Sequence, residues 1–191
     1  MNVYDFDGTI YNGDSGVDFI KFSYFKKPAF MSVHLLKCLK YLALYKLKKI
    51  DFRTLKEYIF SFVSTMNQLE KLTLEFAQSH KYKVKKYYQD LKAESDLIIS
   101  ASLDFYLIPL CNEIGIQNVI CTKYDVKNGK IIGENCKLEE KVKRFEEKYG
   151  KDATIDNAYG DSKSDIPMLK RAKNGFMVKG EKLCFFGESS L

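Results

Sequence analysis

Asp5-Phe6-Asp7-Gly8-Thr9 closes the first strand-like run of the chain, residues 3–6, and sets two carboxylates two positions apart where that strand ends. In an extended backbone residues i and i+2 project to the same side, so Asp5 and Asp7 reach one space at the rim of a sheet. Gly8 tolerates positive φ and lets the chain turn away sharply at that point. Five residues thus hold a candidate nucleophile, a candidate general acid/base and ligands for a hard cation.

Working outward, residues 15–92 show helical spacing and no strand-like alternation. Phe19, Phe22 and Phe25 are followed by Leu35, Leu36, Leu39 and Leu42, then Leu55, Ile59 and Phe62, then Leu69, Leu72 and Phe76. Pro28 separates the first helix from the second, and Asp51 is the expected N-cap of the third. After Asp96 strands alternate with helices. Residues 97–99 read as a buried strand ending in Ser100, followed by a helix over 104–114 with Pro109 in its first turns and Gly115 at its end. A third strand spans 118–122, and 126–132 forms a hairpin about Asn128-Gly129. A helix over 138–149 is closed by Gly150, a strand over 157–160 leads into Asp161, a helix covers 166–172, and 175–178 is the last strand. The expected fold class is therefore α/β, a Rossmann-like parallel sheet flanked by helices. Its core comprises residues 1–13 and 93–191, with a helical cap of residues 14–92 inserted after the first strand. Asp5, Ser100 and Asp161 each follow a predicted strand, where ligands bind in such sheets.

The composition is that of a globular protein, 46% apolar and 29% charged over 191 residues. No apolar run reaches the length of a membrane span, and no basic segment precedes an apolar block at the start, so neither a span nor a signal peptide is expected. Five scattered cysteines with no CxxC pair suggest reduced thiols and a cytoplasmic setting. The net charge of +6 is uneven: residues 14–90 carry 15 Lys+Arg against 7 Asp+Glu, and the remainder carries 16 against 18. Lys46-Leu47-Lys48-Lys49, with Lys81, Lys83, Lys85 and Lys86, reads as a solvated face or as a surface attracting an anionic substrate or a peripheral anionic membrane. No nucleic-acid motif is present. The segment holds 15 of the 27 Phe and Tyr residues, expected to form a small core of its own.

Four features stand in order: Asp5-Phe6-Asp7-Gly8-Thr9; Ser100; Lys141, with Lys137 four residues earlier competing for its place; and Gly160-Asp161-Ser162-Lys163-Ser164-Asp165. This set resembles the haloacid dehalogenase-like superfamily, and within it the phosphoserine-phosphatase-like branch, whose helical cap (C1 type) lies between the first and second motifs. The resemblance implies a Mg²⁺-dependent phosphatase acting on a small phosphorylated metabolite. Asp5 would be the nucleophile that forms an aspartyl-phosphate and Asp7 the general acid/base. Asp5, the backbone carbonyl of Asp7, and Asp161 would hold Mg²⁺. Ser100, Lys141, Thr9 and Gly8 would bind phosphate, and Asp165 would orient Lys141 or a metal-bound water. An acid at Asp7 points to phosphate esters in preference to carbon–halogen bonds. Ser100 or Ser102 is also a candidate helix N-cap, and Asp165 a candidate cap for the helix at Ile166. A lipid-headgroup phosphatase, a phosphotransferase and a non-catalytic anion- or nucleic-acid-binding protein on the same fold stay as alternatives.

Overall fold

The structure, a computed structural model, describes residues 1–187. Five parallel strands form its centre: β1 (Asn2–Tyr4), β2 (Leu97–Leu103), β3 (Asn118–Asp125), β5 (Asn157–Gly160) and β6 (Asn174–Lys179). β4 (Lys130–Ile132) and β7 (Lys182–Phe185) close the two edges in antiparallel pairing. The order is β4-β3-β2-β1-β5-β6-β7, so the chain leaves β1 toward opposite sides at β2 and β5. That reversal opens a crevice beyond the carboxyl ends of β1 and β5, the place where an open α/β sheet takes its ligand.

The strands are short apolar runs because both sheet faces are covered. Val3, Leu97, Ile99, Ile120 and Ala158 point to one face, against Phe145 of α7 (Glu139–Tyr149) and Met168 and Leu169 of α8 (Ile166–Arg171). Their neighbours Tyr4, Ile98, Cys121 and Tyr159 point to the other, against Tyr106, Leu107 and Leu110 of α6 (Asp104–Glu113).

Between β1 and β2 the chain forms α1 (Ser15–Lys26), α2 (Pro28–Lys46), α3 (Phe52–Phe60), α4 (Leu69–His80) and α5 (Lys86–Leu91). Asp14 caps α1 through the Val17 amide at 2.8 Å, and Asp51 caps α3 through that of Thr54 at 2.8 Å. Pro28 opens α2 at a position where its missing N–H costs no helical bond. The aromatics of these helices do not form a separate core. Phe19, Phe60, Phe62 and Phe76 share one buried cluster with Tyr106 and Leu107, and Phe19 stacks on Tyr106 at 5.4 Å. Each such buried ring contributes about 1.5–3 kcal/mol, so the inserted helices and α6 stabilise one another.

Three local expectations are corrected. β2 continues through Ser100 to Leu103, with a register shift against β3 between those two residues. Consequently neither Ser100 nor Ser102 caps α6, whose N-cap is Leu103 with no side-chain bond. Pro109 lies at the sixth residue of α6, not in its first turn. A short final strand, β7, adds an edge that the sequence reading leaves out. Among the described residues no helix is long and apolar enough to cross a membrane.

Candidate active site

The loop after β1 is built around Gly8, at φ 74°. Its amide donates to the carbonyls of Tyr11 and Gly13 at 3.0 and 2.9 Å, which folds residues 8–13 back on themselves. A Cβ at Gly8 would lie 2.1 Å from Asp161 Oδ2, so the absent side chain is what lets Asp161 stand against the loop. The Gly8 N–H is thus engaged within the turn.

Asp5, 7% exposed, follows β1 directly and donates its amide to the Tyr159 carbonyl of β5 at 2.8 Å. Lys141 Nζ donates to Asp5 Oδ1 at 2.5 Å and to Asp165 Oδ1 at 2.6 Å, with all three side chains buried. Burial pushes the Asp5 carboxyl up to about 7 against the pull of Lys141. Burial works against the charge on Lys141 as well, but Asp5 and Asp165 hold its pKa above the ordinary lysine value. Lys137, its competitor in the sequence, lies instead over the Phe52 ring at 5.2 Å.

Asp161 follows β5, and its carboxyl is raised by burial and by the nearby Asp165. Asp165 is fully buried and committed on both oxygens. Oδ1 accepts from Lys141, and Oδ2 accepts from the Ser162 amide at 3.0 Å and the Ser162 hydroxyl at 2.8 Å. It therefore closes the 162–165 turn and aims Lys141 at Asp5. Thr9 is buried too, its hydroxyl 3.4 Å from both Asp5 Oδ2 and Asp161 Oδ1. In this structure the hydroxyl therefore faces the two carboxylates.

Asp7 faces a different environment. Its Oδ1 accepts the Ser15 amide at the start of α1 at 2.6 Å, and its Oδ2 accepts the Ser102 hydroxyl. Burial pushes its carboxyl up to about 6, and the two serine bonds restrain that rise. Ser100 is buried at the register shift, its hydroxyl accepting from the Ser102 amide at 3.1 Å.

A cavity of about 640 Å³ is lined by Asp5, Asp7, Ser100, Lys141 and Asp161 on the sheet side and by α1 and α3 on the other. Among the described residues, Asp5, Asp161 and Asp165 can each offer a carboxylate oxygen, all within 4.8 Å of one another. Hard oxygen donors of this number suit Mg²⁺. With Asp165 spent on Lys141 and Ser162, Asp5 and Asp161 are the pair left for a cation.

Lys56, Ser102 and Lys85 escape the sequence reading. Lys56 of α3 lines the cavity, buried, with its ammonium on the Ala101 carbonyl at 2.6 Å and Asn135 Oδ1 at 3.1 Å, and burial lowers it to about 8. Its sequence signal is a lysine on the apolar stripe of α3, in line with Ile59 and Phe60. Lys85 is buried and donates to the Gly8 carbonyl and, at 2.9 Å, to the Gly180 carbonyl. Lys83 binds Asp18. Within the second half of the expected basic surface, Lys83 is thus held by Asp18 of α1 and Lys85 by the carbonyls of Gly8 and Gly180, so these two do not belong to a free face.

A doubly carboxylated loop after β1, a buried lysine from α7 and a further aspartate after β5 are the marks of a hydrolase of the haloacid dehalogenase-like class. The profile of that family, haloacid dehalogenase-like hydrolase, matches residues 3–170, and the chain belongs to it. Among curated proteins it is similar to Protein CicA of Caulobacter vibrioides, 32% identical over 93 residues that make up 46% of this chain and 42% of that protein. It is also similar to a histidinol-phosphatase of Neisseria meningitidis, 26% identical over 153 residues, 74% of this chain and 62% of that one. The chain thus matches less than two thirds of the length of either relative. Among solved structures, a Bordetella pertussis protein of unknown function shares the fold with TM-score 0.75 at 17% identity, covering 92% of this chain and 87% of that one. A phosphoserine phosphohydrolase-like protein of Francisella tularensis does so with TM-score 0.52 at 19% identity, covering 92% and 86%. A phosphoserine phosphatase solved with substrate also shares the fold, with TM-score 0.51 at 16% identity, covering 91% of this chain and 82% of that one.

Proposed function

We propose that the protein is a Mg²⁺-dependent phosphatase that hydrolyses a small phosphate monoester through an aspartyl-phosphate on Asp5. The observation that carries this reading is the contrast between its two loop carboxylates. Asp5 is locked against Lys141, while Asp7, two residues on, sits on hydroxyl and amide donors with its pKa near 6. A carboxyl held close to neutral pH can be protonated for one step and ionised for the next.

In the first step an Asp5 oxygen attacks phosphorus. The bond to the leaving oxygen breaks, and the Asp7 proton passes to that oxygen. In the second step Asp7, now ionised, takes a proton from water as the water attacks phosphorus, and the Asp5–phosphorus bond breaks to regenerate the carboxylate. Lys141 and Ser100 offset the charge on the phosphoryl oxygens. Asp5 and Asp161, with the Asp7 carbonyl, would hold Mg²⁺, which supplies the positive charge that lets a dianion approach carboxylates. The helices of residues 14–92 act as a cap, which excludes water and reads the non-phosphate part through a wall that is apolar apart from Asp14 and Lys56. A histidinol-phosphatase among the relatives supports a small phosphorylated metabolite as substrate. Five free cysteines fit a reducing, cytoplasmic setting.

The test is a panel of phosphorylated metabolites assayed with Mg²⁺ and with EDTA, on the protein and on Asp5→Asn. Hydrolysis that needs Mg²⁺ and disappears in the folded variant is expected. Mg²⁺-dependent turnover by Asp5→Asn would show that the nucleophile lies elsewhere.

A further inference from the structure

α2 has an outer face that nothing covers. Its inner side is anchored: His34 Nε2 is 2.8 Å from the Ile59 carbonyl, Tyr41 stacks on Tyr58, and Met31 is buried. On the opposite side Val33, Leu36, Lys40, Ala43 and Leu47 recur at alternate steps of three and four and are all exposed, Leu36 to 68% and Leu47 to 66%. Phe25, at the end of α1, is 80% exposed. Leucine and valine this open on a single helical face exceed the scattered apolar residues of an ordinary exterior.

The charge of the stretch says what would cover it. Between Asp18 and Asp51 there are eight lysines and no acidic residue. Lys46, Lys48 and Lys49 also surround an open hollow of about 520 Å³ at the turn after α2, where Lys48 holds φ 55°. A second copy of the chain meeting this face about a twofold axis would set lysines against lysines with no acid to answer them. A nucleic acid would satisfy the charge and leave the leucines in water. An interface that is apolar below and anionic at its surface satisfies both.

We propose that the outer face of α2 and the α2–α3 turn form a docking surface for anionic lipid headgroups. The apolar stripe enters the headgroup boundary, and Lys37, Lys40, Lys46, Lys48 and Lys49 extend to the lipid phosphates. The helix lies in the interface and does not cross it, in keeping with its lysine content. Tyr45 of α2 packs 6.0 Å from Phe52, which lines the catalytic cavity, so the docked face adjoins the wall of that cavity.

The test is flotation of the full chain with vesicles of phosphatidylcholine alone and of phosphatidylcholine mixed with phosphatidylglycerol, at low and high salt. Binding to the anionic vesicles only, weakened by salt, is expected. Each lysine near such a surface contributes about fivefold to partitioning, so Lys48→Glu/Lys49→Glu should lower it by at least about twenty-fivefold. Leu36→Glu/Leu47→Glu should lower it by at least about tenfold. All four positions are exposed, and unchanged circular dichroism and melting temperature will show that the variants fold. No binding to anionic vesicles, binding indifferent to both pairs, equal binding to zwitterionic vesicles, or a concentration-dependent dimer abolished by Leu36→Glu/Leu47→Glu would each overturn the proposal. So would salt-sensitive binding to duplex DNA in place of vesicles. None of these readouts uses phosphatase activity, so the surface and the proposed reaction stand or fall separately.

Discussion

Replacing Lys141 with methionine keeps most of its volume and removes its charge from a site where two buried carboxylates depend on it. Their oxygens lie within 4.8 Å, and at an effective dielectric of about 20 two unit charges at that separation repel by about 3.5 kcal/mol. Breaking a buried pair by removing one partner costs about 3–5 kcal/mol in general, in line with that figure. For a domain of this size the loss corresponds to a fall in melting temperature of about 6–20 °C. The assay is urea and thermal unfolding of both proteins in EDTA from pH 5 to pH 8. The sign follows from which state binds the proton. Asp5 has a folded-state pKa raised by burial above its unfolded value near 4, so its cost is present above the folded pKa and is relieved as pH falls toward the unfolded one. Without Lys141 that rise is larger, so the gap between variant and parent should be widest at pH 8 and shrink toward pH 5. A deficit under about 1 kcal/mol, or one that is the same at both ends of the range, would refute the account of Lys141 as the counter-ion of this pair.

Two further outcomes follow from the loop. Asp7→Asn keeps an acceptor for Ser15 but cannot donate and recover a proton, so turnover should drop about 10²–10⁴-fold while the melting temperature changes little; wild-type rates in a steady-state assay would remove Asp7 from the chemistry. Gly8→Ala should cost about 1–2 kcal/mol for the left-handed backbone alone and should displace Asp161, whose Oδ2 would lie 2.1 Å from the new Cβ. Its denaturation midpoint and its Mg²⁺ requirement should both worsen, and a variant unchanged in both would show that the loop does not hold Asp161 in place.

Much of the sheet was legible because β1 and β2 carry short apolar runs, Val3-Tyr4 and Leu97-Ile98-Ile99, as strands buried on both faces require. Asp5 and Asp161 were legible because each is the first acid after a predicted strand. Other parts of the site carry no local signal. Ser102 reaches Asp7 only because β2 shifts register against β3, a consequence of pairing between strands that one strand does not encode. Lys85 reads as a surface lysine and Lys56 draws no reading at all, because burial of an amine depends on acceptors far away in sequence, here the carbonyls of Ala101, Gly8 and Gly180. Pro109 inside α6 shows tertiary packing overriding a local preference: Tyr106, Leu107 and Leu110 around it are all buried.

One feature of the sequence is locally unfavourable and makes sense only at the site. Lys141 occupies the third position of α7, where the helix dipole disfavours a cation, and Leu138 just before it holds φ 53°, which costs about 1–3 kcal/mol. The Leu138 amide donates to the Ser164 carbonyl at 3.1 Å, which pins the start of α7 to the turn that carries Asp165. The strain is thus retained where it fixes Lys141 between two carboxylates. The balance there is still negative: Asp5, Asp161 and Asp165 set three acids against the ammonium of Lys141 that bonds two of them. Three acids and one base leave a formal charge of about −2 if all are ionised; burial raises Asp5 and Asp161, and the nearby Asp165 adds to the rise of each. Under the proposed reading, Asp5 and Asp161 would hold a divalent cation whose charge would offset the excess and favour their ionised forms, the form in which Asp5 would act as nucleophile. The same electrostatic deficit that destabilises the fold around the site is therefore what suits it to a metal and, through the metal, to a phosphate dianion.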